Sequence, residues 1–255
     1  VVGGIAALAG VQTRTIRGRR GVLDPVKIRG AVRTRDIYFP RTSLICLENT
    51  HNRAGGAVVC IDEMEAIARV AKDLRIPIHL DGARIFNAAV ALGVGVKELT
   101  KDADTVMFSL SKGLGAPVGS MLVGPREWIG RARKWRKMLG GGMRQAGIIA
   151  AAGIVALKEM VDRLEEDHRL ARKLGQGLAQ IKGINLNLDN EQTNIVVFDI
   201  EETGLSVSVF LTRLKEHGIL AVAFGEHLVR MVTHKDVDES DMDKTLVAVR
   251  EIVEK

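Results

Sequence analysis

Lys112 stands in the segment 109–119, Ser-Leu-Ser-Lys-Gly-Leu-Gly-Ala-Pro-Val-Gly, among serines and small residues. Small neighbours let a flat ligand approach the backbone closely. A lysine amine in that setting can form a Schiff base with an aldehyde cofactor when desolvation or nearby charge lowers its pKa. Taken alone, a loop lysine is an ordinary solvated charge. Asp81 lies in His79-Leu80-Asp81-Gly82-Ala83-Arg84, about one strand–helix–strand unit before Lys112. By itself a strand-end carboxylate reads as a helix cap. Its sharper use is against the pyridine nitrogen of pyridoxal phosphate, where it keeps the ring protonated and able to accept carbanion electrons. The pair carries more weight than either residue alone. The glycines of 113–119 also invite a nucleotide-binding reading, but that fingerprint needs a following helix. Residues 120–124, Ser-Met-Leu-Val-Gly, have strand character instead.

For these residues to meet, strands must deliver them to one edge. Residues 43–47, apolar from Leu44 onward, are read as a strand of the kind buried on both faces of a parallel sheet. The polar loop 48–56 follows. Residues 61–74 have helical periodicity, with Ile61, Met64, Ile67, Ala68, Ala71 and Leu74 on one face. A strand over 77–80 ends at Asp81, helical material runs to about 92, and a strand over 104–110 ends at Ser111-Lys112-Gly113. This alternation is that of βαβ units. Polar residues follow three successive strand ends, the edge where open α/β sheets bind ligands. Upstream, Asp24 and Pro25 open a helix that runs to about 32. Downstream, a very basic helix over 127–138 runs into Gly140-Gly141-Gly142. One long helix is expected over 145–178, nearly uncharged first and charge-rich after Lys158. That switch divides the chain into a large domain over 1–157 and a small α+β domain over 158–255. The small domain is expected to hold strands at 194–200, 220–224 and 228–233 and helices at 206–218 and 238–254.

The 255 residues carry 37 Lys+Arg against 31 Asp+Glu, a net charge of +6. An anionic cofactor or substrate explains that balance as well as weak nucleic-acid attraction does. With two Trp, one Tyr and six Phe, no stacking platform for single strands is visible, so a nucleic-acid partner is not expected. No apolar run reaches the roughly 20 residues of a membrane helix. The opening Val-Val-Gly-Gly-Ile-Ala-Ala-Leu lacks a basic n-region and is not read as a signal peptide. Cys46 and Cys60 are too few for a disulfide scaffold or a four-cysteine zinc site, which points to a reduced, cytoplasmic protein. Cys46 is expected to be buried and inert. His168, His217 and His227 lack the partner spacing of a metal site, and His79, inside a strand, reads as a core residue or as one that backs the site residues. His51, in a polar loop, is either a general base or structural.

These residues lie within longer motifs: Phe39-Pro40-Arg41-Thr42-Ser43-Leu44, Leu47-Glu48-Asn49-Thr50-His51-Asn52, and His79 through Ala88. Ser109 through Leu114, Arg136 through Gln145, and Val229-Arg230-Met231-Val232-Thr233-His234 continue the set. In these, over essentially its whole length, the chain resembles the threonine aldolases of the low-specificity and allo-threonine type. The resemblance implies a fold-type I, aspartate-aminotransferase-like large domain with a mostly parallel sheet, plus a small C-terminal α+β domain. It implies pyridoxal phosphate carried on Lys112, with Asp81 at the pyridine nitrogen. Arg84 would lie near the substrate carboxylate and the cofactor's ring hydroxyl. Arg230 would bind the carboxylate, for which a guanidinium fork is suited. Lys137 and Arg144 would serve the phosphate, supplied across a subunit interface of a homodimer or homotetramer. No metal is implied.

Two departures stand out. Tyr38, in Ile37-Tyr38-Phe39-Pro40, replaces a family histidine associated with stereochemical preference at the β-carbon. The family's N-terminal segment, with its Ser-Gly-Thr phosphate loop and the histidine that stacks on the pyridine ring, has no counterpart in these residues. The large domain is therefore expected to expose apolar surface. The activity implied is cleavage of threonine or allo-threonine to glycine and acetaldehyde. The alternatives are another fold-type I lyase or transaminase acting on β-hydroxy amino acids, and a non-catalytic shortened homologue. A nucleic-acid module built on the basic stretch 126–144 is a third, weaker reading.

Overall fold

The computed structural model describes residues 3–34, 36–190 and 192–254. The opening Val1-Val2 and both outer bounds of the two expected domains lie outside the described residues. Two short helices come first, α1 (Gly4–Ala9) and α2 (Pro25–Ala31). As the sequence predicts, Asp24 caps α2, its side chain accepting from Val26 N at 2.8 Å.

The first sheet has the order β1 (Ile45–Glu48), β2 (Ile78–Asp81), β3 (Thr105–Ser109), β4 (Ser120–Val123). The first three strands are parallel and β4 returns antiparallel to β3. Between the parallel strands run α3 (Ile61–Leu74), α4 (Ile85–Leu92) and the single turn α5 (Val96–Leu99). Met64, Ile67 and Ala71 of α3 are buried against Ile45, Leu47 and Ile78, so the apolar stripe read from the sequence is the face that packs. The strand expected at 43–47 begins later and is not buried on both sides. Ile45 and Leu47 are buried but Cys46 between them is exposed. β1 packs through one face only, and alternation puts Cys46 on the other. All four side chains of β4 are exposed as well.

Then come α6 (Arg126–Met138), α7 (Gly147–Glu159) and α8 (Leu164–Leu178). The single helix expected over 145–178 is thus two, broken at 160–163. α7 is apolar nearly all round, whereas α8 carries one apolar stripe bearing Leu170, Leu174 and Leu178. Each follows its own packing surface, and the chain turns where the stripe begins.

The second sheet has the order β5 (Ile195–Asp199), β7 (Leu228–Val232), β6 (Val222–Ala223), all antiparallel. With α8, α9 (Val207–Glu216) and α10 (Glu239–Val253) it encloses a separate core. Phe198 and Phe210 meet there edge to face, their rings 6.0 Å apart. Leu164, in the first turn of α8, is buried instead with Leu110, Leu114 and Ala116 of the first unit. Among the described residues no helix is long and apolar enough to cross a membrane.

Candidate active site

The three parallel strands end together. Glu48 pairs in register with Asp81, and Asp81 with Met107, so neighbouring strands, about 4.8 Å apart, set two carboxylates side by side. Lys112 lies just past β3, in the turn that leads into β4. That turn is closed by Leu110 N donating to Gly119 O at 2.9 Å and Gly115 N donating to Lys112 O at 2.8 Å. Arg84 precedes α4, four residues before the buried Ala88. The Asp81 carboxylate accepts from Ala83 N at 3.0 Å, which fixes its orientation.

Electrostatics ties these groups together. Lys112 has an exposed side chain whose inner part is covered. Partial burial, then the positive charge of Arg84, push its amine below the ordinary lysine range, while Asp81 and Glu48 pull the other way. Burial and then Arg230 lower Arg84, again opposed by Glu48 and Asp81. A cleft of about 410 Å³ opens here, lined by Arg84, Ser111 and Lys112 on one side and by Asn194, His234 and Lys235 on the other. It lies between the two units.

Arg230 reaches the same region from the middle of β7. Its Nη1 donates to Asn52 Oδ1 at 2.8 Å, and its guanidinium lies 5.1 Å from the Phe224 ring centroid. Its Nε is buried and has no partner among the described residues. His51 Nδ1 accepts from Ala54 N at 3.2 Å. The neutral ring therefore carries its proton on Nε2, which faces Glu48 Oε2 at 3.8 Å.

Lys112, Asp81, Arg84 and Arg230 are therefore brought within electrostatic reach of one another, with His51 beside Glu48. Lys137 and Arg144 are not brought in. Both are exposed near the end of α6 and the glycine turn, Lys137 Nζ donating to Gly142 O at 3.1 Å, and neither lines the cleft. Sequence reasoning missed Glu48, Asn52 and Asn194 as site residues. Glu48 had a usable signal, since it ends a strand at the same edge as Asp81. Asn52 and Asn194 had none, because their roles depend on contacts across the whole chain.

A lysine just past one strand beside a carboxylate that ends the next, at the open edge of a mostly parallel sheet, is the arrangement that a fold-type I pyridoxal-phosphate site requires. The donor set fits that cofactor: an amine held below its usual pKa, an anchored carboxylate on the adjacent strand, and two arginines. Residues 2–201 match the beta-eliminating lyase family. The chain is 42% identical over 248 residues to low-specificity L-threonine aldolase 1 of Arabidopsis thaliana, covering 96% of this chain and 69% of that one. It is 40% identical over 242 residues to the low specificity L-threonine aldolase of Escherichia coli (strain K12), covering 94% and 69%. The solved threonine aldolase of Leishmania major shares the fold with a TM-score of 0.78 at 17% identity, over 98% of this chain and 75% of that one. The chain belongs to the beta-eliminating lyase family.

Proposed function

We propose that this chain is a pyridoxal-phosphate-dependent lyase that cleaves L-threonine or L-allo-threonine to glycine and acetaldehyde. The observation that carries the reading is the meeting of Lys112, Asp81 and Arg84 at one strand edge, with Arg230 delivered from β7. Bound pyridoxal phosphate supplies an electron-accepting ring conjugated to the amino acid's nitrogen. The remaining work falls to the chain.

Lys112 Nζ would hold the cofactor and would be the group that delivers a proton to Cα. Its lowered pKa leaves more of the amine neutral and reactive near pH 7. Asp81 holds a proton on the pyridine nitrogen, its carboxylate oriented by Ala83 N. Arg230 would bind the substrate carboxylate, with Arg84 beside it as a second cation for that group and for the cofactor's ring hydroxyl. The orphaned Nε of Arg230 would gain an acceptor when the carboxylate arrives, which recovers the cost of a buried unpaired donor. His51 and Glu48 form the proposed acceptor for the β-hydroxyl proton. The Glu48 carboxylate takes the proton, and His51, whose Nε2–H faces Glu48 Oε2 at 3.8 Å, orients that carboxylate.

Lys137 and Arg144 serve the cofactor phosphate of a second copy in this reading. They lie on a segment that packs little against its own chain, and Trp135, Met138, Leu139 and Met143 beside them are exposed. Together with the bare β4, these favour a homodimer or homotetramer. The division into 1–157 and 158–255 is proposed with α8 shared between the two, and the cytoplasm is the proposed compartment, in keeping with two free cysteines.

The test is the visible absorbance of the purified chain with added pyridoxal phosphate, beside Lys112→Ala, followed by threonine-dependent acetaldehyde release. A yellow band lost in the variant, with acetaldehyde made only by the unaltered chain, is expected. A band that survives in Lys112→Ala, or no band in the unaltered chain, overturns the reading.

A further inference from the structure

Arg230 is fixed by partners far away in the chain. Its strand position pairs it with Val197 of β5 and Val222 of β6, yet its guanidinium is held by the turn that follows β1. Asn52 Oδ1 accepts from Nη1 at 2.8 Å across 178 residues of sequence. The Phe224 ring carries Arg230 at 5.1 Å and Arg53 at 4.9 Å. Arg53 Nη1 also donates to Phe224 O at 3.0 Å, so the ring that stacks on Arg230 is tied to the same turn.

The turn itself is over-determined. Asn52 N donates to Glu48 Oε1 at 3.0 Å, His51 N donates to Ala57 O at 2.8 Å, and His51 Nδ1 takes Ala54 N. Gly21, at φ 83°, sits so close to the His51 ring that any Cβ there would collide with it. The Asn52 amide is thus a rigid acceptor on the first unit, aimed at a cation of the second. One guanidinium N–H is spent on it. Nε remains unspent.

We propose that Asn52 is a positioning residue for amino-acid recognition: it fixes the Arg230 guanidinium before the substrate carboxylate arrives. A free arginine loses rotamer freedom when it forms an ion pair, and a held one has lost it already. Asn52 therefore lowers the cost of binding without touching the reacting atoms. The effect belongs to ground state and transition state alike, so it acts on KM and leaves kcat nearly alone. This rests on the proposed role of Arg230 and adds a residue to it.

The experiment uses the full chain loaded with pyridoxal phosphate, as wild type, Asn52→Ala, Asn52→Ser, Arg230→Ala and the Asn52→Ala/Arg230→Ala double variant. Serine keeps a polar turn residue but is too short to reach Nη1, and it serves if the alanine variant does not fold. Readouts are KM and kcat for L-threonine, glycine affinity by calorimetry, and the melting temperature. Losing one hydrogen bond to a charged group and one fixed rotamer should raise KM and weaken glycine binding roughly tenfold. We expect kcat within about twofold, an unchanged cofactor band, and no further loss on the Arg230→Ala background. The proposal is overturned if Arg230→Ala weakens glycine binding but both Asn52 variants leave KM and glycine affinity unchanged. It is also overturned if their loss is in kcat, or is equally large without Arg230. If Arg230→Ala itself leaves glycine affinity unchanged, the reading of Arg230 fails instead, and the proposal with it.

Discussion

His168 offers a quantitative test of how the two units are joined. It lies in the second turn of α8, is 3% exposed, and its Nε2 is 3.0 Å from Asn87 Nδ2 of α4. With Asn87 donating, Nε2 accepts and the ring is neutral. Burial, and then the Arg172 charge, push its pKa down from 6.5 to about 4. The folded state thus binds a proton less readily than the unfolded chain. Its stabilising contribution is complete above the unfolded value of 6.5 and is lost as pH falls toward about 4. A drop of that size corresponds to about 3 kcal/mol in full, of which about 2 kcal/mol falls between pH 7 and pH 5. His168→Gln presents an amide oxygen to Asn87 and does not titrate. Urea unfolding of both proteins at the two pH values supplies the comparison, and the difference between them removes the common contribution of other groups. The stability advantage of the native chain over the variant should shrink by about 2 kcal/mol from pH 7 to pH 5. An advantage that does not change with pH would show that His168 is not held neutral by burial, and would refute the reasoning.

Two further outcomes follow from packing. Gly82 has Met107 O 2.8 Å and Ile85 Cβ 3.0 Å from where a Cβ would stand, so Gly82→Ala should cost about 1–3 kcal/mol in urea unfolding and weaken cofactor binding by moving Asp81. An unchanged cofactor titration would show that Asp81 is placed independently of that contact. Phe198→Ala removes a ring with no exposure from the second core and should cost about 3–5 kcal/mol, read as a lower urea midpoint; a loss below 1 kcal/mol would mean that the core refills the space.

The local features of the fold were legible in the sequence. The α3 stripe, the Asp24 cap and the strand-end positions of Asp81 and Lys112 depend on neighbours a few residues away, which spacing and residue type report directly. At α10 the sequence offers both Asp238 and Ser240 as caps, and Asp238 is the one that accepts, from Ser240 N and Asp241 N. What the sequence could not show depends on long-range packing. Cys46 is exposed because only one face of β1 is covered, and an all-apolar run does not say which faces will be covered. His168 has no partner at any helical spacing, because Asn87 is 81 residues away. The break at 160–163 was hidden because two good helix-forming stretches adjoin without a proline or glycine signal between them. The link from Asn52 to Arg230 joins positions whose types, read locally, suggest only a turn and a solvated charge.

α8 has a consequence for how the molecule comes apart. Its first two turns are anchored by Leu164 in one apolar cluster and by His168 on Asn87, while Leu170, Leu174 and Leu178 anchor the rest in another. Arg163 grips the fully buried Asp167 at 2.6 Å, and the backbone oxygen of Asp167 accepts from Thr233 Oγ1 at 2.6 Å. A helix is cooperative along its length and gains little from persisting in part. Loss of either cluster removes the support of a rod the other needs. Although the apolar interiors are separate, they share one structural member, so melting should be a single calorimetric event rather than two. A disturbance that begins at the buried histidine then reaches both interiors at once.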